Sequence, residues 1–532
     1  MNKVQSLYNK YEYLIFLIIT LLSASQVFIY YVFPTLDGPH HLYNSNLILG
    51  ILQGNTMVES YYQLNNVPVS NLMGHALLAF FNSFLPSTTA LNLLVFIYIA
   101  GMAFSFRYLM VTITGRFSPV NYAVFPFIMN ISLILGLFNF CLGIILLFVL
   151  MGYWFKVHRS LTLKQLIFMT ALLILMAFTH MLTFVFFGIT VIVFLVYDII
   201  TEYIKNKKFP FKAILLKIFK LVIVTIPAAV ILISYYFHVN EILESNISRT
   251  INDNVGLFEN LYFIRPLIIY HVSNDGYANL PFFVGFVVLI LTYIAYRIIA
   301  KPGKAAGRFF RNFMLIMTIV YLVLLFVVPA GFILHTIRIR LSLLFFLFLI
   351  MWLGTLRLPR WIELLAGLFF LFIFVEHQFR MGPVRSRTSV NVYDMHSIVD
   401  KMEENAVFLP VNAKDFWMEE FITNYIGSEK NLIAVKNPQA YGPFPVVFNY
   451  RGMPYTTIGG HDRHDINIFF RSGPETNEHR EIDYILIYNQ GKFDKARENP
   501  ELKSFFDILD TNFEFVAETP RKTTALYKRI SK

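Results

Sequence analysis

The sequence predicts a polytopic α-helical membrane protein with about 11 transmembrane helices, followed by a small C-terminal mixed α/β domain. Three observations predict this fold class. Only 14% of the 532 residues are charged, 56% are hydrophobic and the mean hydropathy is +0.58, whereas soluble proteins carry about 25% charged residues. Apolar runs of membrane-spanning length recur before residue 380. Lysines and arginines concentrate in alternate connections between those runs.

Each predicted span is a run of roughly 20 apolar residues, the length that crosses a hydrocarbon core about 30 Å thick. The first run follows Lys3 and Lys10 and is too long for the apolar region of a signal peptide, so we interpret it as a retained span. The eleven predicted spans are 13–35, 88–106, 118–134, 138–155, 163–179, 181–199, 213–236, 281–299, 312–330, 341–356 and 361–378.

The distribution of positive charge predicts the orientation. The stretch 67–85 is apolar but contains Asn71, His75 and Asn82, and we expect it to be a helix lying in the outer interface. The proposed cytoplasmic segments then hold twenty lysines and arginines, against four in the outer loops before residue 380. This asymmetry predicts a cytoplasmic N-terminus and, after eleven crossings, an extracytoplasmic C-terminus. The net charge of +11 therefore indicates orientation in a membrane, and nucleic-acid binding is not predicted.

Composition divides the chain near residue 380. Residues 1–379 form the predicted transmembrane domain, with outer loops at 36–66 and 237–280. Residues 380–532 carry 20 Lys+Arg and 21 Asp+Glu, a balance typical of a soluble domain. Helical patterns such as "DFWMEEFITNYI" alternate there with short β-patterned runs, which lie at 406–411, 431–435, 483–488 and 513–518. We therefore predict a soluble extracytoplasmic α/β domain over 380–532.

The first outer loop opens with Asp37-Gly38-Pro39-His40-His41, directly after the first span. Asp37 has two compatible interpretations. It is the N-cap of a short helix that ends near Gln53, or a general base toward a hydroxyl or amide at a dry, partly apolar edge. His40 and His41 are candidate substrate-binding residues or interfacial hydrogen-bonding residues. Because adjacent helical residues point about 100° apart, at most one of them faces the same cleft as Asp37.

Two arginines mark a second candidate site. In "GFILHTIRIRLSLLFFLF" (331–348), Arg338 and Arg340 are rare positive charges at the outer mouth of a span. A planar guanidinium binds two phosphate oxygens at once, so we expect both arginines, together with His335, to bind a phosphate or pyrophosphate group. Ordinary contact with lipid headgroups is the alternative. Transfer of a group from a lipid-phosphate donor requires both a proton acceptor and an anion-binding group on one side of the membrane.

This arrangement resembles the GT-C superfamily of membrane glycosyltransferases, which includes protein O-mannosyltransferases, aminoarabinose transferases and oligosaccharyltransferases. In that superfamily an acidic residue in the first outer loop serves the reaction, and Asp37 occupies that position. The segment "NVPVSNLMGHALLAFFNSFLPSTTALNLLVFIYIAGMAFSFRYLMVTITGR" is similar to the interfacial helix and second span of the family. The resemblance covers roughly the whole chain and rests on architecture.

The resemblance implies a glycosyltransferase of a bacterial inner membrane that uses a sugar on a polyprenyl phosphate or pyrophosphate. The acceptor, on the outer side, would be a protein, a lipid or a glycan. Asp37 would be the general base, and Arg338 or Arg340 would stabilise the departing phosphate. Many members carry paired acids in the first loop, and several carry another acid in the next outer loop, where "NISLILGLFNFCLG" has none. This disfavours a two-carboxylate Mg²⁺ or Mn²⁺ site, and we predict no cofactor.

Two other functions would use a similar lipid-linked substrate. One is a transporter or flippase of lipid-linked glycans, and the other is a polymerase or ligase of surface polysaccharide. Ion-coupled transporters place ionisable groups at mid-membrane, where the predicted spans have few, and the sequence shows no inverted repeat. The polymerase and ligase share the donor class and stay open. The single cysteine, Cys141, lies in an apolar run, which disfavours a disulfide or thiolate chemistry.

Overall fold

The computed structural model describes the chain except for residues 1, 208–210, 245–255, 301–306, 330–335, 414–415, 441, 450–455, 460–466, 471–481, 499, 501–502 and 531–532. The α-helices are α1 (Asn2–Ser25), α2 (Gly38–Leu52), α3 (Thr56–Tyr61), α4 (Met73–Asn82), α5 (Ser87–Thr114), α6 (Val124–Ile128), α7 (Ile131–Ile134), α8 (Phe138–Val157), α9 (Leu163–Thr179), α10 (Met181–Asn206), α11 (Phe211–Glu244), α12 (Glu259–Tyr262), α13 (Val272–Ala300), α14 (Arg308–Val327), α15 (Ile337–Thr355), α16 (Arg360–His396), α17 (Gln490–Lys495) and α18 (Lys503–Asn512).

The strands are β1 (Tyr62–Leu64), β2 (Val407–Asn412), β3 (Ile433–Ala434), β4 (Val446–Phe448), β5 (Thr456–Gly459), β6 (Asn467–Phe470), β7 (Tyr484–Tyr488), β8 (Phe513–Glu518) and β9 (Thr524–Arg529). The chain folds as two compact units. Unit 1 comprises Met1–Ser25 and Phe96–Gly382, and unit 2 comprises Gln26–Val95 and Pro383–Lys532.

Nine helical segments in the described part of the chain are long and apolar enough to cross a membrane. They are Lys10–Ile29, Ser87–Thr114, Phe138–Val157, Met181–Asn206, Ile214–Val239, Val272–Ala300, Arg308–Val327, Ile337–Thr355 and Arg360–Lys401. Each overlaps one of the predicted spans, although Val272–Ala300 starts nine residues earlier than predicted and Arg360–Lys401 extends well beyond residue 378. The predicted class of polytopic helical membrane protein is confirmed. The count of eleven spans and the orientation stay predictions.

The remaining two predicted spans are shorter or broken. α9 has 17 residues. The run predicted at 118–134 divides into a 3₁₀ helix over Pro119–Ala123, followed by α6 and α7. Pro126 lies inside α6 and has no backbone N–H to donate. The Asn130 side chain then accepts a 2.8 Å hydrogen bond from the Ser132 N–H and caps α7. Proline and this cap explain why this mainly apolar run does not form one helix.

The helices of unit 1 differ sharply in how far they are enclosed. In the most apolar 18-residue stretch of α15, 89% of the residues are buried. In the corresponding stretch of Ile214–Val239, only 11% are buried. Exposed apolar side chains on the latter, such as Leu215 and Phe219, suit contact with lipid chains. α15 is therefore an interior helix of unit 1, and most of its side chains are surrounded by protein.

Buried carboxylates in unit 1 have cationic partners. Glu363 is fully buried, and its two oxygens lie 2.6 Å from Arg116 Nη2 and 2.6 Å from Arg360 Nη1. Asp275 accepts backbone N–H groups of residues 269–271 at 2.7–3.2 Å and lies 2.8 Å from Arg380 Nη1. Such pairing offsets the cost of removing a charge from water.

Unit 2 contains a five-stranded mixed sheet in the order β3-β2-β7-β9-β8. β2 is parallel to β3 and β7, while β9 is antiparallel to β7 and β8. The predicted β-patterned runs correspond to β2, β3, β7 and β8, which confirms a sheet-containing C-terminal region. The segment "DFWMEEFITNYI" forms 3₁₀ turns at Trp417–Glu419 and Ile422–Ser428 in place of the expected helical pattern. The Asn412 side chain donates to the carbonyls of residues 419 and 420 and fixes this turn.

Within unit 2, the segment after the first span packs on the C-terminal region. The Tyr43 hydroxyl donates to Leu432 O at 2.9 Å and accepts from Ala434 N at 2.8 Å. A Cβ on Gly427 would lie 2.7 Å from the Tyr43 ring, so glycine permits this approach. β1 also pairs with β4 as an antiparallel ladder. α2 is thereby fixed by residues almost 400 positions later.

Candidate functional site

Asp37 immediately precedes α2, as predicted, but its side chain does not cap the helix. Its backbone is in the αR region (φ −90°, ψ −4°), whereas a capping residue is usually extended. The backbone carbonyl still accepts the first helical bond, from His41 N at 3.1 Å. Pro39 occupies the first turn, where a missing N–H costs nothing. The carboxylate of Asp37 therefore remains available for chemistry.

The Asp37 carboxyl group is held in a state that favours proton exchange near neutrality. Asp37 is partly exposed. Burial, with a smaller contribution from the negative charge of Glu420, raises the pKa of Asp37 from 3.8 to about 7. A carboxyl with such a pKa accepts a proton from a substrate more readily than an ordinary aspartate, because base strength rises with pKa.

Gly38 allows the C-terminal region to approach this turn. A Cβ at Gly38 would overlap the Thr35 hydroxyl and would lie 3.1 Å from the Tyr425 hydroxyl. Burial raises the pKa of Tyr425 well above its usual value, so this phenol stays protonated. The N-terminus of α2 is therefore packed against polar groups of the C-terminal segment.

His40 is a buried base rather than a charged residue. It is 1% exposed, and its ring centroid lies 4.3 Å from that of Phe421. Neither ring nitrogen has a hydrogen-bond partner among the described residues. Burial, and secondarily the positive charge of Lys436, lowers the pKa of His40 to about 3. The ring is neutral at physiological pH, and its unpaired nitrogens leave room for a hydrogen-bonding ligand.

His41 points to a different neighbour. Its Nδ1 lies 3.0 Å from Nε2 of His75, and His75 Nδ1 lies 3.1 Å from the Asn71 carbonyl oxygen. The Asn71 carbonyl can only accept a hydrogen bond, so His75 Nδ1 carries the hydrogen and donates it. In the neutral His75 ring Nε2 is then the acceptor, and His41 Nδ1 donates to it. Burial lowers the pKa of His75 to about 4 and keeps that ring neutral. The two adjacent histidines thus serve different contacts.

Arg340, on the interior helix of unit 1, is buried with no anionic partner among the described residues. The residue is 4% exposed, and its Nε and Nη1 find no hydrogen-bond acceptor within the described parts of the chain. Its guanidinium carbon lies 5.1 Å from the centroid of the Phe140 ring. A ring face only partly offsets the cost of burying a guanidinium, which is large when no anion is paired with it. The described residues therefore leave the charge of this guanidinium without a compensating anion.

The position of the two arginines strengthens this conclusion. Arg338 and Arg340 lie in the first turn of α15, where the helix dipole disfavours cations and favours anions. Arg338 Nε is also buried without an acceptor in the described residues. A phosphate beside Arg340 would meet one guanidinium group near the positive end of a helix, because Arg338, two residues earlier, points about 200° away around the helix. His335, the third residue predicted for this site, lies outside the described residues.

His180 belongs to the surroundings of Arg340, although it was not predicted. It is 6% exposed, and its Nδ1 has no hydrogen-bond partner in the described residues. Its ring centroid lies 5.4 Å from that of Phe140, the same ring that Arg340 covers. Arg340, Phe140 and His180 thus form one cluster, contributed by α15, α8 and the residue between α9 and α10. The three residues are far apart in the sequence, so the sequence does not predict this cluster. Histidines are rare in apolar runs, and this was the one signal that could have pointed to His180.

No group of three or more His, Cys, Asp or Glu side chains that could hold a metal ion occurs among the residues that the structure describes. The two clusters lie in different compact units: Asp37 and the histidines of α2 in unit 2, and Arg338 and Arg340 in unit 1. Glu420 and His75 complete the first cluster and were not among the predicted site residues.

No known protein family matches this chain, and no curated protein sequence matches it significantly.

Proposed function

We propose that the protein is an integral-membrane glycosyltransferase. It transfers a sugar from a polyprenyl phosphate or pyrophosphate to an acceptor on the outer side of the membrane. The observation that carries this proposal is Asp37, whose carboxylate is released from helix capping and has a pKa of about 7. A group in this state suits proton removal from a hydroxyl or amide. The resemblance to GT-C enzymes in the position of Asp37 supports the same assignment.

The proposed reaction is a single displacement at C1 of the donor sugar. Asp37 takes the proton of the acceptor hydroxyl or amide while the acceptor atom forms its bond to C1. The bond between C1 and the phosphate oxygen breaks, and its electron pair leaves with the polyprenyl phosphate. The proton on Asp37 later returns to water. Protonation of Asp37 below its pKa would stop the reaction.

Arg340 supports the choice of an anionic lipid as donor. A buried guanidinium with two unpaired nitrogens stabilises an anion more strongly than an exposed one, because no water competes for its N–H groups. Arg340, in unit 1, is therefore the group proposed to bind a lipid phosphate.

The experiment is a transfer assay with the full chain in nanodiscs. The protein is incubated with a panel of polyprenyl-phosphate and polyprenyl-pyrophosphate sugars and a membrane extract that supplies acceptors. Release of the sugar-free polyprenyl carrier and labelling of an acceptor are measured together. Asp37→Asn is compared with Asp400→Asn, which removes a carboxylate whose side chain is 91% exposed in the same unit.

The expected result is carrier release coupled to labelling, lost in Asp37→Asn and kept in Asp400→Asn. Donor turnover that is equal in wild type and Asp37→Asn would remove the aspartate from the reaction. A flippase is distinguished by reconstituting the protein in vesicles with a fluorescent lipid-linked sugar. Translocation without sugar transfer would replace the enzymatic proposal with transport.

A further inference from the structure

A cavity of about 480 Å³ lies in unit 1, and no residue of the two clusters described above lines it. We call it the headgroup cavity, and its lining residues are Phe104, Arg107, Tyr108, Val111, Thr112 and Lys156. They come from α5 and from the last turn of α8. On the other side of α5, Phe106, Leu109 and Met110 are completely buried. The cavity therefore lies on the outward face of α5.

The headgroup cavity has an excess of positive charge. Arg107 donates through Nε and Nη2 to the two oxygens of Glu12, at 3.3 and 2.7 Å. Its Nη1 makes no hydrogen bond within the described residues, so it can still donate to a ligand. Lys156 is exposed and forms no ion pair with any described residue. Two cations and one carboxylate leave one uncompensated positive charge.

The position of Lys156 is built into the packing of the two helices. Its ammonium group lies 4.4 Å from the centroid of the Tyr108 ring. One turn earlier on α8, a Cβ at Gly152 would overlap the edge of this ring and lie 2.9 Å from its Cδ1. Glycine therefore lets the Tyr108 ring approach α8 closely, next to the lysine. The ring supports the ammonium without neutralising it.

The walls of the cavity suit a lipid better than a fully polar ligand. Phe104 and Val111 lie on one face of α5, respectively three residues before and four residues after Arg107, so apolar and cationic walls adjoin. The predicted orientation places Arg107 and Lys156 at the cytoplasmic side of the membrane. Basic pockets between membrane helices on that side recognise anionic lipid headgroups.

We propose that the headgroup cavity binds the phosphate of an anionic glycerophospholipid from the cytoplasmic leaflet. Arg107 Nη1 and the Lys156 ammonium contact the phosphate oxygens, and Phe104 and Val111 contact the start of an acyl chain. This inference does not depend on the proposed glycosyl transfer, because neither Asp37 nor Arg340 lines the cavity.

The test uses native mass spectrometry of the full chain, released from nanodiscs that contain equal amounts of phosphatidylglycerol and phosphatidylcholine. Wild type should retain phosphatidylglycerol in preference to phosphatidylcholine. Lys156→Gln should lower this retention by about fivefold, the effect of one lysine near a membrane surface. Lys164→Gln removes an exposed charge on the same predicted side but outside the cavity and should resemble wild type.

A second variant keeps the charge and changes the support of the lysine. Gly152→Ala displaces the Tyr108 ring and should also weaken phosphatidylglycerol retention. Inorganic phosphate, added at millimolar concentration, should not displace the lipid, and its doing so would show a site for free phosphate instead. Equal losses in Lys156→Gln and Lys164→Gln, or no preference for the anionic lipid in wild type, would overturn the proposal.

Discussion

Nδ1 of His41 donates to Nε2 of His75 across 3.0 Å, although the two residues are 34 positions apart and both are buried. The contact joins α2, which begins directly after Asp37, to α4. The helix predicted at 67–85 is shorter in the structure, where α4 covers Met73–Asn82. Asn71, with φ +110°, precedes it and supplies the carbonyl that fixes the His75 tautomer.

Replacement of His75 should show what this contact contributes. His75→Phe leaves the Nδ1–H of His41 without an acceptor, and we expect a loss of about 1–3 kcal/mol in the free energy of unfolding. His75→Gln keeps a side-chain acceptor and should lose less. Thermal unfolding in detergent, followed by tryptophan fluorescence, compares the two variants. Equal stability of His75→Phe and wild type would contradict the assigned hydrogen bond.

The same residue predicts a pH dependence of stability. The pKa of His75 is lowered from 6.5 to about 4 in the folded protein, so the unfolded chain binds a proton first as the pH falls. Its contribution is complete above pH 6.5 and is lost progressively between pH 6.5 and 4. The stability difference between wild type and His75→Gln should therefore shift in favour of the variant over this interval. A difference that does not change with pH would show that His75 is not held neutral.

Replacement of Glu420 should lower the pKa of Asp37. Activity requires ionised Asp37, so the rate falls as the pH drops below the pKa of about 7. Glu420→Gln removes a negative charge that raises this pKa, and the acidic limb of the pH–rate profile should move to lower pH. Because burial is the larger cause, the shift should be a fraction of a unit. The exposed Glu404, replaced by Gln, is the matched control and should leave the profile unchanged.

Loss of charge at Arg340 and at Arg380 should have different effects on the stability of the ligand-free protein. Arg340 has no anionic partner in the described residues, so Arg340→Met should leave the ligand-free protein as stable as wild type or more so. Arg380→Met removes the partner of the buried Asp275 and should destabilise it. A saturating polyprenyl pyrophosphate, at about 100 times its Kd, should stabilise wild type by about 2.7 kcal/mol. Arg340→Met should lose most of this gain.

Two results would contradict this assignment of Arg340. One is a ligand-free Arg340→Met protein as unstable as Arg380→Met, which would show that Arg340 is already paired. The other is full stabilisation of Arg340→Met by the pyrophosphate lipid. Thermal unfolding with and without the lipid measures both.

Glu363 should be important for stability alone. Its buried carboxylate lies between Arg116 and Arg360, and Glu363→Ala leaves both guanidinium groups without their anion. We expect a loss of about 3–5 kcal/mol in the free energy of unfolding. Glu376→Ala, which breaks a more exposed pair with Arg380, should cost less than about 1 kcal/mol. Similar unfolding midpoints for both variants would contradict the buried ion-pair assignment.

Much of the fold could be predicted because apolar length alone identifies a membrane helix. Nine predicted spans coincide with long helices, and the position of Asp37 before α2 follows from Pro39 in the first turn. The break in 118–134 could not be read from hydropathy, because it depends on Pro126 and on the cap that Asn130 forms.

The neighbours of the candidate site residues could not be predicted from the sequence. Glu420 acts on Asp37 from a segment of 3₁₀ turns, and no periodicity or spacing links positions 383 residues apart. The burial of Arg340 was also hidden, since a cation in the first turn of a span suggests exposure to headgroups. Only packing decides whether such a guanidinium faces water or the protein interior.

The most direct measurement of the central claim is a single-turnover transfer from a donor already bound to the protein. Wild type and Asp37→Asn are loaded with the polyprenyl-linked sugar that wild type uses, donor occupancy is measured by mass spectrometry, and acceptor labelling is then followed. The account predicts equal occupancy and transfer slower by about 10²-fold or more in Asp37→Asn. Transfer at the wild-type rate from an equally occupied Asp37→Asn protein would contradict it.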